Sequence, residues 1–171
     1  QGEVDKCFYA GVKVTDRKGM ENVQKELGSR TVITLENYLL KDSKTNMSHV
    51  VPEGTDGAKK AVLEYRVLGI ETGEELALLR VKLHTGRHHQ IRVQLSETGM
   101  PILNDTKYGV TPNEENIKDT SRAGRDEALA LCSYRLVFSH PVTRKKLTFE
   151  VIPKGKSFAL FSEDLCKMDN I

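Results

Sequence analysis

No stretch of this chain stays apolar for the roughly 20 residues that a bilayer-spanning helix needs. No basic-then-apolar leader opens it either. Neither a membrane protein nor a secreted one is expected. Cysteine is scarce: Cys7, Cys132 and Cys166 are odd in number, far apart, and form no C-x-x-C pair. That excludes a disulfide framework and suits thiols in a reducing cytoplasm. Excess charge of either sign is also lacking, since 26 Lys+Arg against 24 Asp+Glu leaves +2. With 38% hydrophobic residues, the composition is that of a folded chain rather than a disordered one. There is no internal repeat, low-complexity tract or linker. The 171 residues are enough for one domain with a closed core. The first residue is Gln1 rather than Met, so the chain is expected to be processed or part of something longer.

The small net charge hides segregation. Arg80 to Leu95 holds Arg80, Lys82, Arg87 and Arg92 and no acid. Pro141 to Lys156 holds five basic residues against Glu150 alone, and Thr111 to Ala128 holds five acids against three bases. Segregated basic segments are what a phosphate backbone requires, although charge also fluctuates along any chain.

Patterning gives the elements. Val4 to Val14 and Thr31 to Leu40 read as strands, with a turn at Asp42–Asn46. Gly19 to Gly28 reads as a short helix or an insertion, and Val50 to Gly57 as a loop. Ala61 to Leu68 and Leu76 to Leu83 alternate cleanly and are joined by Glu71-Thr72-Gly73-Glu74, so a hairpin is expected. Ile91 and Leu95 then change the period. A helix over about 88–98 follows, opened by the Thr85-Gly86-Arg87 turn and closed by Gly99. After an acidic loop, Leu129 to Phe138 pairs with a strand through Leu147, Phe149 and Val151. Phe158, Phe161 and Leu165 suit a terminal amphipathic helix. The fold class is α+β: a mixed, mostly antiparallel β-sheet with flanking short helices.

His84-Thr85-Gly86-Arg87-His88-His89-Gln90-Ile91-Arg92 is the segment that carries chemistry. His84 and His89 are too far apart for a helical i, i+4 pair, and His88 and His89 are neighbours pointing different ways. No cysteine or carboxylate lies within seven residues on the N-terminal side, so no metal is expected. There is no G-x-S-x-G elbow and no P-loop. What remains is a tight turn feeding a helix, with Arg87 near its start and Arg92 about a turn later, an arrangement suited to anion contact.

Leu83-x-Thr85-Gly86-Arg87-x-His89-Gln90-Ile91-Arg92, then Gly99-x-Pro101-Ile102-x-x-Asp105-x-x-Tyr108-Gly109, resembles the C-terminal signature of the RluA-type pseudouridine synthases. Lys6-x-Phe8-x-Ala10 is similar to the family's K-x-Y-x-A strand. Lys59-x-Ala61-x-Leu63-x-Tyr65 is similar to its K-x-A-x-T-x-Y. Leu129-x-Leu131-x-x-x-x-Leu136-x-Phe138-x-His140-Pro141 is similar to its late L-H-A-x-x-L-x-F-x-H-P stretch. Together these segments span about residues 4–153.

The resemblance implies that residues 1–171 are the C-terminal portion of a pseudouridine synthase catalytic domain. It implies isomerisation of uridine to pseudouridine in structured ribosomal or transfer RNA, without metal or cofactor and in the cytoplasm. In that chemistry the target nucleotide is flipped into a pocket. An aspartate attacks it, the glycosidic bond breaks, the uracil turns, and a carbon–carbon bond forms. Arg92 falls on the family's active-site arginine, which holds the catalytic carboxylate ionised and aims it. Phe8, Ile91, Arg87, Lys59, Lys60 and Lys107 are the expected substrate contacts. Arg87, His89 and Gln90 are also expected to build the turn. The family's H-R-L-D segment, which carries the nucleophile, is absent here. The aspartate partner of Arg92 is therefore expected off this chain, and the missing N-terminal segment is an expected packing partner. Phe8 stands where the family has a tyrosine, keeping a stacking face without the hydroxyl. Asn104, Gln94 and Leu63 also depart from the pattern. The alternative is a degenerate, non-catalytic RNA-binding relative.

Overall fold

The computed structural model describes residues 4–109 and 128–166. Nearly all of the acidic Thr111–Ala128 segment lies outside them. Seven strands form one sheet: β1 (Asp5–Lys13), β2 (Ile33–Asp42), β3 (Met47–Val51), β4 (Lys59–Glu71), β5 (Leu76–Leu83), β6 (Leu131–Ser139) and β7 (Lys146–Glu150). Their order is β3-β2-β4-β5-β1-β6-β7. Every pairing among them is antiparallel. The helices are α1 (Arg17–Ser29), α2 (Gln90–Glu97), α3 (Lys156–Ala159) and α4 (Ser162–Cys166). The α+β class holds, with an antiparallel sheet.

The alternation in β4 decides which face is covered. Ala61, Leu63, Tyr65 and Val67 are buried, while Val62, Glu64 and Arg66 between them are less so. In register, Leu63, Tyr65 and Val67 stand beside Leu83, Val81 and Leu79 of β5. Phe8 and Ala10 of β1 stand beside Val81 and Leu79. One face thus gathers an apolar surface, and α1 packs on it across β4. Asp16 caps α1, its carboxylate accepting from the Gly19 N–H at 2.7 Å.

Three sequence expectations shift. Gly19 to Gly28 is one helix rather than an insertion, and it ends on Arg30 in the left-handed region (φ 53°) instead of on Gly28. Val50 and Val51, expected in the Val50–Gly57 loop, belong instead to Met47–Val51, which pairs with Tyr38–Asp42 as an edge strand. The terminal amphipathic segment is two short helices, broken at Leu160, that still bury Phe158, Phe161 and Leu165.

Candidate active site

The turn before α2 is tied to β4 by side chains. Thr85 Oγ1 accepts from the Val62 N–H at 2.8 Å. Gln90, 3% exposed, donates to the Val62 carbonyl at 3.1 Å. Its Oε1 accepts from Thr85 Oγ1 at 2.8 Å and from the Arg87 N–H at 3.0 Å. Arg87 Nε donates to the Lys60 carbonyl at 2.8 Å. His89 begins the helix in the left-handed region (φ 53°). The sequence T-G-R-x-H-Q is thus a clamp that fixes where α2 starts, which matches the turn-building role expected of Arg87, His89 and Gln90.

With its start fixed, α2 presents Arg92 to the loop that follows. Arg92 Nε donates to Asp105 Oδ2 at 2.7 Å and Nη2 to Oδ1 at 2.6 Å, a two-pronged pair. The Asp105 side chain has no solvent exposure and the Arg92 side chain keeps 17%. The sequence led only to a carboxylate partner off this chain; Arg92 also has one on it. Burial disfavours ionisation of Asp105. The Arg92 fork and the Lys107 and Tyr108 N–H groups outweigh it and hold the carboxyl below its usual range. Asp105 Oδ1 therefore accepts three hydrogen bonds and Oδ2 one. So engaged and enclosed, Asp105 is a group that fixes Arg92, not one poised to attack a sugar.

Tyr108 completes the arrangement. The Arg92 guanidinium carbon lies 5.1 Å from its ring centroid. Its hydroxyl accepts from the Ser48 N–H at 2.7 Å and lies 3.0 Å from His89 Nδ1. Ser48 Oγ lies 2.9 Å from His88 Nδ1. Burial, then the charges of Arg92, His88 and Lys107, push the His89 imidazole down to about 4. It is neutral at physiological pH. A Cβ at Gly109 would run into the Asp105 carbonyl oxygen, so this loop needs glycine to close.

The other expected residues divide. Phe8 is half-buried, lies on the sheet face that α1 and α2 cover, and packs against the core cluster containing Ile91. Tyr9 points the other way and stacks on Tyr134 at 3.8 Å between centroids. Ile91 is 5% exposed. Lys107 Nζ donates to the Asn46 carbonyl at 3.1 Å. Lys59 is exposed. Lys60 lies on the face away from α2, its ammonium 2.6 Å from Glu36. Arg92, Lys107 and Arg87 thus border α2, and Lys60 does not join them. Among the described residues no three His, Cys, Asp or Glu side chains converge as metal ligands would.

A model of the RNA pseudouridylate synthase family matches residues 3–97, which include β1 to β5 and α2 with Arg92. The chain belongs to that family. Among relatives, an uncharacterised RNA pseudouridine synthase of Aquifex aeolicus is 40% identical over 93 residues, 54% of this chain and 29% of its own length. Ribosomal large subunit pseudouridine synthase D of Vibrio parahaemolyticus is 37% identical over 112 residues, 63% of this chain and 32% of its own. tRNA pseudouridine synthase C of Pasteurella multocida is 36% identical over 92 residues, 54% of this chain and 36% of its own. This synthase-family chain spans about a third of the length of those relatives. The fold is also that of human RNA pseudouridylate synthase domain containing 1 (TM-score 0.61, 21% identity). That match covers 88% of this chain and 55% of the other. Among the described residues no helix is long and apolar enough to cross a membrane.

Proposed function

We propose that the intact protein converts uridine to pseudouridine in structured ribosomal or transfer RNA, in the cytoplasm, and that residues 1–171 contribute Arg92 but not the nucleophile. The observation that carries this reading is the buried Arg92–Asp105 pair in a chain of this family. Asp105 holds one edge of the guanidinium. The remaining nitrogen, Nη1, makes no hydrogen bond to any described residue and serves a second carboxylate, the attacking aspartate. That aspartate comes from chain outside these residues, since no H-R-L-D motif occurs within them. The same outside segment is the packing partner of this sheet. Phe8 and Ile91 contact the flipped base, and Arg87, Lys59 and Lys107 contact the RNA strand; Lys60, on the other face and paired with Glu36, is left out of that contact.

Phe8 favours a second reading, a binding protein without turnover, because it stacks but cannot move a proton. Release of tritium from RNA labelled at uracil C5 separates the two, since carbon–carbon bond formation expels that hydrogen. Release by the intact protein supports the synthase. RNA binding without release supports the second reading.

A further inference from the structure

The sheet face turned away from α2 carries a charge arrangement that the proposed chemistry does not use. Arg66 of β4 stands directly opposite Arg80 of β5, and Glu64 opposite Lys82. Both arginines are half-buried. Like charges placed directly across two strands repel, and partial burial weakens the water that would screen them. Their neighbours have carboxylates: Lys82 lies 3.7 Å from Asp5, Arg135 2.8 Å from Glu150, and His84 3.1 Å from Glu64. Among the described residues, Arg66 and Arg80 have neither an ion pair nor a hydrogen bond. They line a groove of about 200 Å³, and Lys82 borders both it and a second groove of about 520 Å³ reaching Arg135 and Lys146.

We propose that Arg66 and Arg80 form a clamp for a phosphate of the RNA backbone, on the sheet face opposite α2. Two guanidinium forks match the paired oxygens of a phosphodiester. An anion between them turns a repulsive pair into an attractive set of three charges. Lys82, Arg135 and Lys146 continue the positive surface, although Glu64, which lines the same groove as the two arginines and pairs with His84, and Asp5 and Glu150 partly neutralise it. An RNA reaching both this clamp and Arg92 passes over the sheet, so the clamp holds a part of the RNA distant from the target uridine. This inference rests on the RNA-modifying reading above.

The test uses the intact protein and a fluorescein-labelled stem-loop RNA. Backbone contacts are sequence-independent, so the probe need not be the natural substrate. Arg66→Gln/Arg80→Gln is expected to weaken binding by about tenfold at low salt. It is also expected to make the slope of log affinity against log salt shallower by about 1 to 2. Without RNA the double variant should melt at the same temperature as the parent or higher, because a repulsive pair is gone, so misfolding does not explain the loss. Arg66→Lys/Arg80→Lys should recover part of the affinity. Unchanged affinity and slope in the Gln variant would overturn the clamp. So would a melting-temperature rise with inorganic phosphate that the Gln variant loses while its RNA affinity stays the same, since the site would then take small anions. Tritium release by the parent protein is scored separately. If it neither binds RNA nor releases tritium, both readings fall; if it releases tritium and the Gln variant binds as before, only the clamp falls.

Discussion

The guanidinium of Arg92 meets the carboxylate of Asp105 edge-on, Nε on Oδ2 at 2.7 Å and Nη2 on Oδ1 at 2.6 Å. The pair joins α2 to the loop that carries Asp105 and Tyr108. It converts a flexible cation into a fixed one, which is the property an active-site arginine needs.

Breaking this pair should cost stability as well as activity. Asp105→Ala leaves a mostly enclosed guanidinium without its partner, and about 3 kcal/mol is expected to be lost. Asp105→Asn keeps the shape and two acceptors' worth of geometry only in part, so it should lose less. Urea denaturation of the two variants beside the parent measures both. A loss for Asp105→Ala within 0.5 kcal/mol, the ordinary range for surface substitutions, would show that the pair holds nothing in place.

The same pair sets a pH dependence. The folded carboxyl of Asp105 titrates below its ordinary 3.8, so the folded state holds its proton more weakly than the unfolded state. The stabilisation is present above the unfolded value and is lost as pH falls through the folded one. The protein should therefore lose this contribution below about pH 4, and Asp105→Asn should lack it. Equal acid slopes for the two proteins would count against the pair.

His89 makes a prediction in a different window. Its folded value, about 4, lies below the ordinary 6.5, so the unfolded chain takes up a proton that the folded one refuses. Stability from this group is complete above pH 6.5 and declines as pH falls toward 4. The His89 ring resonances should titrate with a midpoint near 4 by NMR. A midpoint near 6.5 would mean that burial and the neighbouring cations do not act on it.

Phe8→Tyr restores the hydroxyl that the family pattern carries at this position. The backbone register keeps the new ring on the face beside Val81. Turnover by the intact protein is expected to equal or exceed that of the parent. A clear loss would show that Phe8 is fitted to a different contact.

Much of this was legible in the sequence because local patterns and local structure coincide. The alternation in Ala61–Leu68 and Leu76–Leu83 maps onto β4 and β5, and the T-G-R-x-H-Q-I-R run maps onto a turn whose bonds to β4 start α2. The helix end at Gly99 was readable because only a positive φ, here 77°, fits it. Asp105 was visible as a motif residue, but its bond to Arg92 was not. That bond depends on how a loop 13 residues downstream folds back. The contribution of Ser48 was hidden for the same reason: β3 is only five residues long, with Ser48 and His49 breaking its apolar pattern. Its hydrogen bonds to Tyr108 and His88 exist only after the β2–β3 turn places it beside α2. The like-charged pair Arg66 and Arg80 needed the register of the β4–β5 hairpin, which a bulge between Val67 and Gly69 shifts just beyond them.

The central claim is that Arg92 serves the chemistry and is not merely a helix-anchoring charge. Tritium release from RNA labelled at uracil C5, by the intact protein and its Arg92→Ala variant, tests it most directly. The parent should release tritium, residues 1–171 alone should not, and Arg92→Ala should lower release by about 100-fold or more while binding RNA within about threefold of the parent. Near-normal release by Arg92→Ala, or release by residues 1–171 alone, would contradict the account.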